Sequence, residues 1–509
     1  MMAVKNEKIM DVTLKQLLSD FCETDYLPEV EVKGLALDSR HVEQGYVFVA
    51  LEGGFDHGLA YAEAAISRGA IAVVCDAQHD QYCQQILSKI MTMAVCIPVK
   101  NLHTKLSLLS NKFYGAPSEK LFVSGVTGTD GKTSVSHFVA QAMNSSDTPA
   151  AVLGTLGNGL IDQLDESSHT TPDVFSLNHM LSQFERQGAT SVAMEVSSHG
   201  LDQDRVMGVN FDVAVLTNLT RDHLDYHGDI ESYKQAKKKL FIENADRTLV
   251  LNIDDAFGSE IFSEFADKRK IWLYGLNELQ AKQSEFFAIA NHIENKPEGM
   301  KFMLVSSHGS AEVSLGLIGE FNIYNALACF CVLLQSGMNF NYAIKRIEKL
   351  QTVAGRMEVI SKADKPVVVI DYAHTPEALS QALINVRKHV TGKVICVFGC
   401  GGDRDVGKRP IMAQVADELS DLVILTSDNP RNEDPEQIID EIRQGISSEL
   451  KLIVEEDRGS AIQQAINMAS TDDLILIAGK GHEEYQIIGN KNIPFSDKQK
   501  AIESLEAYT

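Results

Sequence analysis

The 509 residues carry 46 Lys and Arg against 70 Asp and Glu, a formal net charge of −24, and 44% of them are apolar. A negative field of that size argues against a nucleic-acid or anionic-membrane partner, and the length suits about three domains with substantial cores. Eight cysteines without a Cys-x-x-Cys pair fit reduced core thiols, and the start, Met1–Lys15, is too charged for a signal peptide. No apolar run approaches a membrane span, so a soluble, cytoplasmic chain is expected.

Up to about Ser110 the chain mixes short elements, with strands predicted at Val47–Leu51 and Ala70–Cys75 and a helix at Tyr61–Arg68. Gly115-Ala-Pro-Ser118 is a breaker segment and a candidate boundary. Beyond it, apolar runs recur at Leu121–Val126, Ala150–Leu153, Ser191–Val196, Val213–Thr217 and Leu249–Leu251. Helical stretches separate most of them, the alternation of a parallel sheet with crossover helices. Asn322–Leu334 reads as a long buried helix, and Ala354-Gly355 marks a second boundary. Strands then follow at Val367–Ile370, Val394–Phe398, Leu422–Leu425, Leu452–Val454 and Leu474–Ile477. Four of these end in polar loops, Asp371–Pro376, Gly399–Asp405, Ser427–Arg431 and Gly479–Glu483. Ligands bind outside the carboxyl ends of strands in an open parallel sheet, so the four loops should meet in one crevice. The fold class is α/β in three domains, 1–115, 116–353 and 354–509, with a P-loop sheet in the middle and a Rossmann-like sheet last.

The chemistry centres on Gly125-Val-Thr-Gly-Thr-Asp-Gly-Lys-Thr133, a glycine-punctuated turn between a strand and a helix. Backbone N–H groups of such a turn cradle phosphate, Lys132 adds a point charge, and the Thr133 hydroxyl can hold Mg²⁺. The strict Walker pattern wants glycine where Val126 stands, so the working motif is the shorter Gly128-Thr-Asp-Gly-Lys-Thr133. Glu195, at the end of the next strand but one, is placed to bind the same metal, the bland alternative being an ion pair with a nearby base. His223, in Thr217–His227, is a metal candidate or simply a satisfied polar residue.

Projected at helical spacing, Ile230, Tyr233, Ala236, Leu240 and Phe241 form one apolar face over 230–241, and Lys237 falls inside it. Lys234 and Lys238 lie at its edge, and Lys239 points away as a solvated residue would. A desolvated lysine is pushed toward its neutral amine, which can serve as base or nucleophile or take up CO₂ as a carbamate.

Together these residues resemble the Mur ligases, ATP-dependent amide-forming enzymes of bacterial cell-wall synthesis, over essentially the whole chain. The resemblance is carried by Gly128–Thr133, Glu195-Val-Ser-Ser-His199, Asp222-His-Leu-Asp225, Asn322 and Asn325, Gly355-Arg-Met-Glu358 and Asp371-Tyr-Ala-His374. Asp428-Asn-Pro-Arg431 resembles the branch that adds meso-diaminopimelate to UDP-N-acetylmuramoyl-L-alanyl-D-glutamate, rather than the lysine-adding branch or the folylpolyglutamate synthetases. The resemblance implies that Leu37, Ser39, Gly54, Phe55 and Asp56 meet the uridine nucleotide. Thr170, Thr171, Ser197, Gln203 and Arg205 would hold the rest of that substrate. ATP would fall to Gly128, Thr129, Asp130, Gly131, Lys132, Thr133, Asn322, Arg356 and Asp371, and Mg²⁺ to Thr133, Glu195, His223 and a carbamylated Lys237. Diaminopimelate would meet Arg404, Asp428, Asn429, Pro430, Arg431, Gly479 and Glu483. The implied enzyme is a monomer with small-molecule substrates and no nucleic acid or membrane. From another class, a P-loop switch would hydrolyse nucleotide without an acceptor and leave the last domain's loops idle.

Two segments depart from the family pattern. Asp130 stands where Asn is usual, and a carboxylate near triphosphate repels it unless neutralised, so Asp130 is expected to point away or to sit near metal. Thr170-Thr-Pro-Asp173 replaces the Thr-Thr-Gly of some relatives.

Overall fold

The computed structural model describes residues 12–23, 25–52, 57–76, 81–167, 169–242, 247–353 and 355–508. The chain divides into two compact units, the first Met1–Leu251 with Asp255–Ile271 and the second Asn252–Asp254 with Trp272–Thr509. Among the described residues no helix is long and apolar enough to cross a membrane.

The first unit holds two sheets. The N-terminal one has four parallel strands in the order Gly34–Ala36, Tyr46–Ala50, Ala72–Asp76 and Val95–Val99. The other is built around Phe122–Thr127, which pairs in parallel with Ser191–Glu195 on one side and Val213–Leu216 on the other. Ala150–Gly154 and Thr248–Asn252 extend it in parallel outward. Every residue of Ala150–Gly154 and Val213–Leu216 is buried, as strands covered by helices on both faces require. The registers Val126↔Glu195 and Leu216↔Thr127 bring three strand ends level, and that alignment positions the site. Four strands of this unit lay outside the sequence reading: Gly34–Ala36, Val95–Val99, Gly157–Leu160 and Gln163–Asp165. Gly157–Leu160 and Gln163–Asp165 continue the sheet antiparallel; their glycines and polar residues carry no apolar run.

In the second unit, Phe286–Lys296, Gly299–Ser306 and Gly309–Leu315 form an antiparallel meander, and Trp272–Gly275 pairs in parallel with its first strand. It corrects the expectation of a purely parallel middle region, because solvated antiparallel strands alternate polar and apolar residues instead of running apolar throughout. The Phe321–Gln335 helix is buried on nearly all sides. A six-stranded sheet has the order Glu358–Ile360, Val367–Asp371, Leu474–Ala478, Val394–Phe398, Leu422–Leu425 and Leu452–Val454, parallel except at its first, edge strand, and the antiparallel pair Tyr485–Ile488 and Lys491–Pro494 follows it. Val367 and Val369 pack with Leu383 and Met412 on one face; Val368 and Ile370 pack with Ile462 and Leu505 on the other. Helices therefore cover both faces, and the four chemistry-bearing loops leave one edge together.

Candidate active site

At Gly128 φ is +152° and a Cβ would collide with the Thr217 hydroxyl, so only glycine lets the loop close against that strand end. The loop is pinned there: the Thr217 hydroxyl donates to Asp130 O at 2.6 Å, and Asp130 N donates to Asn218 Oδ1 at 2.9 Å. Gly131, at φ +80°, then opens the Lys132–Met143 helix. Lys132 Nζ reaches back to Gly128 O at 3.0 Å and Thr129 O at 2.7 Å. Burial lowers its pKa, while Glu195, Asp130 and Asp222 oppose the shift. Asp130 is exposed, and its charge acts on Lys132 and Lys237 alike.

Glu195 is almost fully buried, and burial raises its carboxyl. Donors counter that: the Thr133 hydroxyl to Oε2 at 2.9 Å, and Thr155 N to Oε1 at 2.8 Å. A buried carboxylate paired with a hydroxyl is an oxygen donor set suited to a hard divalent cation, so Thr133 and Glu195 fit Mg²⁺. His223 is exposed in a left-handed conformation, φ 52°, with its ring 5.1 Å from that of His199 and 6.2 Å from that of Tyr233. Among the described residues no group of three or more His, Cys, Asp or Glu is arranged to hold a metal ion.

Lys237 is 1% exposed and lies in the buried face of its helix with Tyr233, Ala236, Leu240 and Phe241. Its Nζ donates to Gly128 O at 2.7 Å and sits 4.6 Å from the Tyr233 ring centroid. Burial, then the charge of Lys132, hold its pKa well below the ordinary lysine value. Two expectations for this helix change. Ile230, at the first turn, is exposed. Lys239 is not simply solvated, because its Nζ donates to the carbonyls of Leu201 and Asp202 at 3.2 Å and pairs with Asp204.

A cavity of about 940 Å³ opens in the first unit, and Leu37, Ser39, Gln203 and Arg205 line it together with Pro172 and Asp173. Arg205 grips the Gln203 amide oxygen with Nε at 3.0 Å and NH2 at 2.6 Å, and donates to Thr171 O at 2.8 Å. Thr171 is buried and bonds Glu195 O at 3.0 Å and Ser197 Oγ at 3.1 Å, so it braces the wall and does not line it. Gly54, Phe55 and Asp56 lie outside the described residues.

In the second unit, Asn429 and Glu483 meet around a lysine the sequence reading passed over. Lys480 is fully buried; its Nζ donates to Glu483 Oε2 at 2.9 Å and Asn429 Oδ1 at 3.0 Å, and Asn429 Nδ2 donates to the same Oε2 at 2.8 Å. This partnership holds the Glu483 carboxyl below its ordinary value, against burial. Pro430 is buried, and its O would collide with a Cβ at Gly402. Arg431 has φ 51°, and its NH1 donates to Gly402 O at 2.9 Å. Asp428 Oδ2 lies 2.7 Å from where a Cβ on Gly479 would stand, and Arg404 is exposed on the neighbouring loop. Asp371 accepts from Met357 N at 2.8 Å and Ala373 N at 2.9 Å, while Arg356 lies over the Tyr372 ring at 5.3 Å. Asn322 is buried, donating to Ile318 O at 2.9 Å.

Thr155 also escaped the sequence reading, although its place directly after a predicted strand was a usable signal. Lys480 carried a weaker one, inside a loop already singled out; nothing local says that a lysine is buried.

Residues 31–114 match the Mur ligase family catalytic domain, 126–333 the Mur ligase middle domain, and 355–481 the Mur ligase glutamate ligase domain. A protein of Alkalilimnicola ehrlichii named UDP-N-acetylmuramoyl-L-alanyl-D-glutamate–2,6-diaminopimelate ligase is 44% identical over 97% of this chain and 98% of its own. One of the same name from Ectopseudomonas mendocina is 44% identical over 94% and 96%. A solved structure of a ligase of that name aligns with a TM-score of 0.77 and 36% identity, covering 98% of this chain and 99% of the other.

Proposed function

The chain belongs to the Mur ligase family, and we propose that it is an ATP-dependent ligase adding meso-2,6-diaminopimelate to UDP-N-acetylmuramoyl-L-alanyl-D-glutamate in peptidoglycan precursor synthesis. The observation that carries this is full-length similarity to ligases of that name, in a chain that keeps the Asp428–Arg431 loop beside Glu483. The reading assigns residues 1–115 to the UDP-substrate, 116–353 to ATP and 354–509 to the amino acid, in a cytoplasmic monomer.

A carboxylate is a poor acyl donor because oxide is a poor leaving group. An oxygen of the substrate's D-glutamate carboxylate therefore attacks the γ-phosphorus of ATP, the bond to the bridging oxygen breaks, and ADP leaves. The diaminopimelate amine attacks the acyl carbon, the tetrahedral intermediate expels phosphate, and the nitrogen loses a proton. The protein contributes position and charge. Lys132 and the loop N–H groups hold phosphate oxygens, and the Gln203–Arg205 pair and Ser39 fix the UDP-dipeptide in its cavity. Lys480 keeps Glu483 ionised so that its second oxygen can take an ammonium, and Arg431 offers a guanidinium to the distal carboxylate. Mg²⁺, held by Thr133 and Glu195 with His223 and a Lys237 carbamate, would neutralise charge on the phosphates.

Phosphate release tests the reading. UDP-N-acetylmuramoyl-L-alanyl-D-glutamate with ATP should release little phosphate until meso-diaminopimelate is added. Equal turnover with L-lysine would move the chain to a sibling activity, and full hydrolysis without any acceptor would make it a nucleotide switch.

A further inference from the structure

Gly154 and Thr155 form a socket for Glu195. A Cβ at Gly154 would collide with Oε1, so the strand approaches as glycine, and the next residue supplies two donors. Thr155 N reaches Oε1 at 2.8 Å and the Thr155 hydroxyl reaches Oε2 at 3.3 Å. The hydroxyl also lies 3.1 Å from Thr170 Oγ1. A hydroxyl carries one proton, so Thr155 donates either to Glu195 or to Thr170, and which it does depends on what Thr170 is bonded to. Thr170 begins the Thr170–Asp173 segment, whose Pro172 and Asp173 line the large cavity.

The socket's backbone has its own tie to that cavity. Gly154 N donates to Asn158 Oδ1 at 3.1 Å, and Asn158 Nδ2 donates to Ser167 Oγ at 3.2 Å. Asn158 and Ser167 are both cavity-lining residues. A continuous path thus runs from the phosphate cradle, Thr133 to Glu195 to Thr155, and on to the wall of the large cavity.

We propose that Thr155 is a positioning residue that couples the two sites: its hydroxyl links the Glu195 carboxylate to Thr170, so that filling the UDP-dipeptide cavity and filling the phosphate cradle favour each other. A ligand group that takes the Thr170 proton leaves Thr170 no proton for Thr155, and fixes the direction in which Thr155 donates. A Mg²⁺–nucleotide that engages Glu195 fixes the same hydroxyl from the other side. Coupling of this kind is reciprocal. The inference rests on the cavity taking the UDP-dipeptide, as read above.

The test is calorimetric binding of a non-hydrolysable ATP analogue with Mg²⁺, with and without saturating UDP-N-acetylmuramoyl-L-alanyl-D-glutamate. The wild type, Thr155→Val and Thr155→Ser are compared. Valine keeps the backbone donor and the shape but has no hydroxyl, and Thr155 is exposed, so the variant should fold. In the wild type the dipeptide should tighten analogue binding at least about fivefold. Thr155→Ser should keep that factor, and Thr155→Val should reduce it to within about twofold of none, the factor being the ratio of analogue affinities with and without dipeptide in the same variant. Dipeptide that binds without coupling, or coupling that survives in Thr155→Val, overturns the inference and leaves the function standing. Dipeptide that does not bind the wild type at all overturns the substrate reading and the inference with it.

Discussion

Arg431 lends itself to a prediction in which stability and specificity move in different directions. Its φ of 51° is a left-handed conformation that costs a non-glycine residue roughly 1 kcal/mol. Three bonds hold it there: Arg431 N to Ile487 O at 3.0 Å, Gly489 N to Arg431 O at 2.7 Å, and NH1 to Gly402 O at 2.9 Å. Only the last involves the side chain, and it is worth about 0.5–1.5 kcal/mol. Arg431→Ala keeps the backbone strain and loses that bond, so it should be destabilised by about 1 kcal/mol. Arg431→Gly loses the same bond but relieves the strain, so its urea-unfolding free energy should fall close to wild type.

Specificity should treat the two variants alike. Pairing with a carboxylate in a partly desolvated pocket is worth about 2–5 kcal/mol, and because Arg431 is only half-buried the low end applies. About 2 kcal/mol is roughly a 30-fold loss of kcat/KM for meso-diaminopimelate in either variant. Their preference over L-lysine should shrink by the same factor, with KM for ATP unchanged. Steady-state kinetics with both amino acids, beside urea titrations, measure all of this. Arg431→Gly that keeps the wild-type preference would refute the recognition role, and Arg431→Gly as unstable as Arg431→Ala would refute the strain argument.

Lys132→Ala should fold but lose kcat by ~10²–10³, since the lysine acts where phosphate charge redistributes; near-native turnover would remove the P-loop from the mechanism. Lys237→Ala should be almost inactive and partly rescued by short carboxylic acids, and wild type grown with ¹³C-bicarbonate should show a carbamate carbon that the variant lacks. His137, on the P-loop helix, is buried, its Nε2 has no hydrogen-bond partner among the described residues, and burial lowers its pKa from 6.5 to about 4. The unfolded chain takes a proton there that the folded chain refuses. The cost is therefore absent above pH 6.5, grows as pH falls, and reaches about 3 kcal/mol near pH 4. His137→Leu should shift acid unfolding to lower pH; an unchanged midpoint would count against it.

The sequence by itself determined what is written locally. Parallel strands are continuous apolar runs, so the buried Val394–Phe398, its neighbour Leu422–Leu425 and the part-exposed edge strand Leu452–Val454 were legible to the residue. The glycine spacing of the phosphate loop and the helical periodicity that buries Lys237 are equally local, since neighbours three or four residues away report them. Tertiary structure decided what depends on distant partners. Thr155 matters because parallel pairing brings its strand end level with that of Glu195, forty residues on. Arg458 and Asp497, both fully buried, hold each other at 2.7 Å from helices 39 residues apart, and Lys480 is hidden by Asn429 at 51. A charged residue read alone belongs in water, because burying it unpaired costs far more than any local pattern can offset. Only the fold supplies the partner, and so only the fold could show which charges stand inside.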